Sequence, residues 1–192
     1  MEYKARRKEF TVQAIIVCVV LFASLSAAQP SVWVASSLRR IGISDAAGSG
    51  TQVTLSAAKG GTESFQIGVH GNSALSNVNV TISDLSGPGI IPKSSFTLYR
   101  EKYVYVSSAS PDWGGSNRPL GAGWYTDPLI PFTDLVTGAP LTGGTYTAVP
   151  FGVSAAQNQP IWVDLKVPAT ATAGMVFPSW WIVINSGAEH RS

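Results

Sequence analysis

The 192-residue chain has 45% hydrophobic residues, 13 Lys and Arg against 11 Asp and Glu, and one cysteine. Four of the basic residues (Lys4, Arg6, Arg7, Lys8) and two of the acidic ones (Glu2, Glu9) fall in residues 1–28, which leaves nine of each sign beyond that segment. Residues 29–192 are therefore formally neutral and, with Cys18 also in the first segment, free of thiols, which excludes charge-driven partners such as nucleic acid or an anionic membrane surface, and excludes a disulfide framework.

The chain opens with the basic stretch Met1 to Lys8, followed by the apolar run Ala14 to Ala23 and the small residues Ser24 to Ala28. That order is a secretory signal peptide, with cleavage expected after Ala28. The apolar run is about half of the roughly 20 residues a spanning helix needs, so no stable membrane span is expected after cleavage, and the mature chain is expected to be extracellular or periplasmic.

Beyond the leader, apolar residues recur with period two and helical periodicity is not sustained. Ser31 to Ser36 is the first strand candidate. Val53 and Leu55 alternate with polar neighbours, as do Phe65, Ile67 and Val69, and then Val78, Val80 and Ile82. Ser95 to Tyr99, Lys102 to Val106, Tyr146 to Ala155 and Pro160 to Val167 complete the set, the last with Ile161, Val163, Leu165 and Val167 on one face. Turn clusters such as Lys59-Gly-Gly61, Ser86-Gly-Pro-Gly89 and Thr142-Gly-Gly144 separate them. The expected fold class is all-β, an antiparallel β-sandwich of about eight short strands preceded by a signal-peptide helix. Residues 1–28 are read as the signal peptide, 29–174 as the sandwich domain and 175–192 as an atypical C-terminal tail. Ser107 to Thr145, rich in Gly, Pro and Ser, is expected to be one long irregular segment, ordered through Pro128, Pro131 and Pro140 without being a strand.

Chemistry is sparse. A zinc site needs three or four His, Cys or acidic ligands, whereas His70 and His190 lie far apart and belong to no ligand-spaced motif, so neither metal nor cofactor is expected. No serine-nucleophile elbow and no phosphate-binding loop occurs. Glycosidic cleavage usually takes two carboxylates at a set separation. Asp112, Asp127 and Asp134 share the long irregular segment, but each stands next to residues that make turns, so structural turn is the favoured reading and no catalytic residue is assigned. Trp113, Trp124 and Tyr125, with Asp127, are the candidate contacts, either to a carbohydrate, through aromatic stacking, or to a neighbouring domain.

The order of several short motifs resembles a known family. Val32-Trp-Val-Ala-Ser36, Gly61-Thr-Glu-Ser-Phe-Gln66, Leu98-Tyr-Arg-Glu-Lys-Tyr-Val104, Asp127-Pro-Leu-Ile-Pro-Phe132, Gln159-Pro-Ile-Trp-Val-Asp164, Val167-Pro-Ala169 and Ala173-Gly174 follow one another as in the N-terminal β-sandwich of family 123 glycoside hydrolases and related secreted proteins that carry the domain DUF4091. The resemblance implies a noncatalytic sandwich that supports a (β/α)8 barrel, on which the family's adjacent Asp-Glu pair sits. No such pair occurs in this sequence, so no catalytic residue is carried over. The implied partner is the downstream barrel; the alternative is a free-standing carbohydrate-binding or adhesion module whose partner is a glycan. After Gly174 the sequence departs from the family's pattern with Met175 to Ile184 and a polar end; Trp180 to Ile184 reads as a further strand, and a truncated or frame-shifted reading frame is the equal alternative.

Overall fold

The computed structural model describes residues 12, 13, 15, 16, 29–115, 119–141, 147–172, 174, 179, 180 and 182–188. In chain order the strands are β1 (Val12–Gln13), β2 (Ile15–Ile16), β3 (Ser31–Ser36), β4 (Thr54–Leu55), β5 (Thr62–His70), β6 (Leu75–Ile82), β7 (Leu85–Ser86), β8 (Ile90–Ile91), β9 (Phe96–Val106), β10 (Gly123–Pro131), β11 (Phe151–Val153), β12 (Asn158–Lys166), β13 (Ser179–Trp180) and β14 (Ile182–Ala188). Five strands form one sheet in the order β10-β9-β12-β5-β3, and β11-β6-β14 form a second. Smaller sheets are β2-β13-β7-β8 and β1-β4, and β13 with β2 is a parallel pair in an otherwise antiparallel fold.

Alternation builds the core. Phe65, Ile67 and Val69 point to one face of β5 and are fully buried, opposite Val163, Ile161 and Gln159 of β12 in register. Val78, Val80 and Ile82 of β6, Phe151 and Val153 of β11 and Ile184 of β14 meet them from the second sheet in a single buried cluster. Each such side chain contributes about 1.5–3 kcal/mol by leaving water, and the period of two is what delivers them all to the same interior. The chain is thus an all-β sandwich, as the alternation predicts.

Two departures from the sequence reading have physical reasons. The segment expected to be irregular contains β10, because Gly123 to Pro131 pairs with β9, and its prolines are tolerated where β10 forms the sheet's outer margin. The register slips between Thr126 and Leu129, so Asp127 and Pro128 sit in a local irregularity and not in the ladder. Second, the two candidates Ser95 to Tyr99 and Lys102 to Val106 are one continuous strand, β9, because Arg100 and Glu101 in its middle are both accommodated by neighbours. Beyond Gly174, where the sequence left a further strand open, β14 pairs along β6 from Ile182 to Ala188. The helix expected over the leader falls outside the described residues, whose only parts there, β1 and β2, are extended.

A second, smaller cluster of Trp33, Ala35 and Ile41 lies on the outer face of the five-stranded sheet. Trp33 stands opposite Gly68 in register, and a Cβ at Gly68 would lie 2.2 Å from its Cε2, so only glycine lets the indole lie flat on β5. Carboxamides then tie the following segment down over this side of the sheet. Gln66 Nε2 points at the carbonyls of Ser36, Ser37 and Arg39 at 3.1, 3.3 and 2.6 Å, and Asn158 Nδ2 donates to those of Gly42 and Asp45 at 2.8 and 2.9 Å. Both carboxamides are buried, and pairing them removes the penalty an isolated amide would carry. The β3 margin is closed as well, since Val34 N donates to the Gly50 carbonyl at 2.8 Å.

Pro160 is the other irregular feature, in a strand with neighbours on both sides. Its pairing with β5 is opposite Gly68, while the ladder to β9 begins only at Ile161. Having no N–H to give, Pro160 is bypassed by the side chain before it: Gln159 Nε2 donates to the Glu101 carbonyl at 2.6 Å and to the Pro160 carbonyl at 2.8 Å.

Candidate contact face

Register decides which side chains share the outer face of the larger sheet. Tyr99 stands opposite Trp162, and Tyr105 opposite Trp124, so Thr97, Tyr99, Glu101, Tyr103 and Tyr105 of β9 line up on the side away from the core. The β3 and β5 half of that face is covered by the pinned segment around Ile41. The same segment reaches Asn158 of β12 and Tyr103 of β9, and Glu101 between Tyr99 and Tyr103 is buried, so the well-exposed aromatics of this face are Tyr105 and Trp124. Tyr105 and Trp124, 59% and 50% exposed, tilt against each other with ring centroids 5.3 Å apart, a favoured aromatic geometry. Nearer the centre, Asp164 Oδ1 accepts hydrogen bonds from Ser64 Oγ at 2.6 Å and from Trp162 Nε1 at 2.7 Å, which fixes the indole on the sheet.

Burial shapes the ionisable groups here. Desolvation holds the Tyr99 hydroxyl above the ordinary phenol range, with the nearby Asp164 carboxylate adding to it. Tyr103 is shifted further up by burial and by the negative groups of Glu101 and Asp45, and its hydroxyl donates to the Ile41 carbonyl at 2.9 Å. Glu101 is 6% exposed, and its Oε1 has no hydrogen-bond partner. Burial pushes its carboxyl up, and a hydrogen bond from the Thr126 side chain opposes this.

The residues singled out from sequence do not form one platform. Trp113 is 92% exposed in the loop before β10, whereas Trp124 and Tyr125 are consecutive in a pleated strand and go to opposite faces. Tyr125 is half-buried, donates to the Gly121 carbonyl at 2.8 Å and carries the Arg40 guanidinium 5.2 Å from its ring centroid. Asp127 is exposed in the β10 irregularity. Asp112 accepts from Gly114 N at 2.9 Å. Asp134 accepts from the backbone of Thr137 and Val136 and from the Thr137 hydroxyl, donors that hold its carboxyl below the usual range. His70 Nδ1 is 2.8 Å from Asn158 Oδ1, and His190 lies outside the described residues. Among the described residues no group of three or more His, Cys, Asp or Glu side chains comes together. What sequence reasoning missed is Tyr105 and the Trp162–Asp164–Ser64 set. The signal was present as Tyr99-x-Glu101-x-Tyr103-x-Tyr105, a period-two array hidden by dividing β9 in two.

Comparisons with known proteins place this fold in a family. Curated proteins give no match. Among solved structures, the chain is similar to a family 123 glycoside hydrolase from Clostridium perfringens, studied for glycolipid glycan hydrolysis, at 13% identity and a TM-score of 0.39, covering 68% of this chain and 21% of that one. The chain thus spans about a fifth of that protein's length. A family model described as the glycoside hydrolase 123 N-terminal domain matches residues 44–177, from the segment that crosses the outer face to the approach of β13. With that match taking in well over half of its residues, the chain belongs to the glycoside hydrolase 123 N-terminal domain family.

Proposed function

We propose that this domain is a secreted, noncatalytic module of a glycoside-hydrolase-like protein, and that the outer face of its larger sheet, at Tyr105 and Trp124, packs against a (β/α)8 catalytic barrel that follows it. The observation that carries the reading is the exposed aromatic pair of Tyr105 and Trp124 where β9 ends and β10 begins, with Tyr99 and Trp162 part-exposed further along the same face. Aromatic side chains on a flat sheet provide the area an interdomain contact needs, and the polar partners of Trp162 keep that area soluble until it is covered. Family membership supports the same reading. The carboxylates of Asp112 and Asp134 support the noncatalytic part, since each is used by its own turn.

The test begins with the DNA downstream of the coding region. A barrel-encoding frame there, in this or a shifted frame, should yield a polypeptide that co-purifies with the full chain and is lost from it on Tyr105→Ala with Trp124→Ala. The absence of any such frame, or association indifferent to both substitutions, would refute it. A second reading is favoured by the same pair of rings: Tyr105 and Trp124 stack on a sugar, and the domain binds glycan by itself. Glycan-array binding that persists undiminished in Trp124→Ala would eliminate this alternative.

A further inference from the structure

A cleft of about 200 Å³ opens between β9 of the larger sheet and β11 of the smaller one, beside the turn of residues 154–157. Arg100 reaches it from the core side of β9, since it stands opposite Ile161, whose side chain is in the core, while Ile43, Tyr103 and Asn158 line it from the outer side, so the cleft opens at the end of the sheet where β12 begins. Arg100 and Lys102 both line it, with Ser154, Gln157 and Gln159, and no Asp or Glu is among the lining residues.

Arg100 is held by neutral groups alone. Its Nε donates to Gln159 Oε1 at 3.0 Å, one terminal nitrogen donates to the Thr147 carbonyl at 3.3 Å, and the guanidinium lies 5.1 Å from the centroid of the Phe151 ring. Gln159 is itself fixed at its other end by the Glu101 and Pro160 carbonyls, so the guanidinium is set in one orientation before anything binds. A guanidinium has five N–H donors, and these two bonds leave donors at the cleft. Burial alone pulls the Arg100 pKa down from its usual value, as expected of a cation desolvated without a compensating carboxylate.

We infer that this cleft is a binding site for a small carboxylate, clamped by the free edge of Arg100. A planar guanidinium with an exposed edge is matched to a carboxylate by two parallel hydrogen bonds, and its charge favours a negative group over a neutral one of the same shape. The volume is below the roughly 300 Å³ at which drug-sized sites begin, so the occupant is one small acid or the acidic end of a sugar. Ser154 and Gln157 at the rim would meet the hydroxyls of a sugar acid and offer nothing comparable to a simple acid.

The experiment is titration of the ¹⁵N-labelled full chain, followed at the Arg100 Nε–Hε and the Gln159 carboxamide resonances, with glucuronate, glucose and acetate as probes. Glucuronate is expected to give saturable shifts at both side chains. Acetate binding equally well would identify the source as a simple acid, and glucuronate binding at least tenfold more tightly would identify it as a sugar acid; either supports the carboxylate site. Glucose is expected to shift neither resonance. Arg100→Lys, which keeps the charge and loses the fork, should weaken the carboxylate tenfold with the fold retained by circular dichroism. Shifts of equal size with glucose and glucuronate, no saturation with either acid, or an affinity untouched by that substitution would overturn the site.

Discussion

Replacing Gly68 by alanine tests the packing that seats Trp33. The added methyl would lie 2.2, 2.3 and 2.7 Å from Cε2, Cζ2 and Cδ2 of the indole, about 1 Å or more inside ordinary carbon contact. The ring has little room to retreat: it is 2% exposed, and Gly48 approaches it so closely that a Cβ there would be 2.4 Å from Cδ1. Gly68→Ala should therefore cost about 1–3 kcal/mol, the range for overpacking a well-filled site. Trp33→Ala alone should cost about 3–5 kcal/mol, as for other buried aromatic truncations. The informative variant is the double one. With the indole gone, the methyl at residue 68 meets no obstacle and restricts the unfolded chain, so it should be neutral or slightly stabilising. Urea unfolding followed by circular dichroism, with unchanged m-values, gives the four free energies, and a coupling of at least about 1 kcal/mol is expected. If the two costs simply add, the contact between Trp33 and Gly68 does not hold residues 37–48 to the sheet.

Three further outcomes follow from particular contacts. Burial raises the folded-state value of the Glu101 carboxyl above the ordinary 4.5, so its stabilising contribution is complete below the unfolded value and is lost as pH rises through the folded one. Glu101→Gln is neutral throughout, and its urea midpoint should gain on the wild type as pH rises above the ordinary carboxyl value of 4.5; a constant difference would show that the group does not titrate as its burial implies. Gln159→Ala should destabilise by about 2–3 kcal/mol, because it strips Arg100 of an acceptor and the Glu101 carbonyl of its donor; thermal and urea unfolding both measure this. Restoring backbone donors at the margin, with Pro128→Thr and Pro131→Thr together, should leave the midpoint within about 1 kcal/mol yet promote self-association, read by light scattering at increasing concentration.

Much of the sandwich is legible in the sequence because a sheet with one buried face must alternate, and Phe65 to Val69, Val78 to Ile82 and Ile161 to Val167 do so without a break. The reading fails where another requirement outweighs alternation. In β9 the charged pair Arg100-Glu101 looks like an interruption, since the carboxamide of Gln159 and the hydroxyl of Thr126, which make it tolerable, come from other strands. In β10 the prolines look like a loop, since nothing local reveals that this strand is the sheet's margin. The contact face was half legible: Trp124 was found from its composition-rich surroundings, but its partner Tyr105 is known only once register sets the two opposite each other.

The two margins of the larger sheet give the molecule a directional preference in how it can be approached. At β10, Pro128 and Pro131 withhold amide hydrogens and the slip at Asp127 bends the ladder, while at β3 Val34 already spends its amide on Gly50. At both margins, part of the hydrogen-bonding capacity that a sideways extended peptide would copy is thus withdrawn, which favours broadside contact through side chains over a growing ribbon.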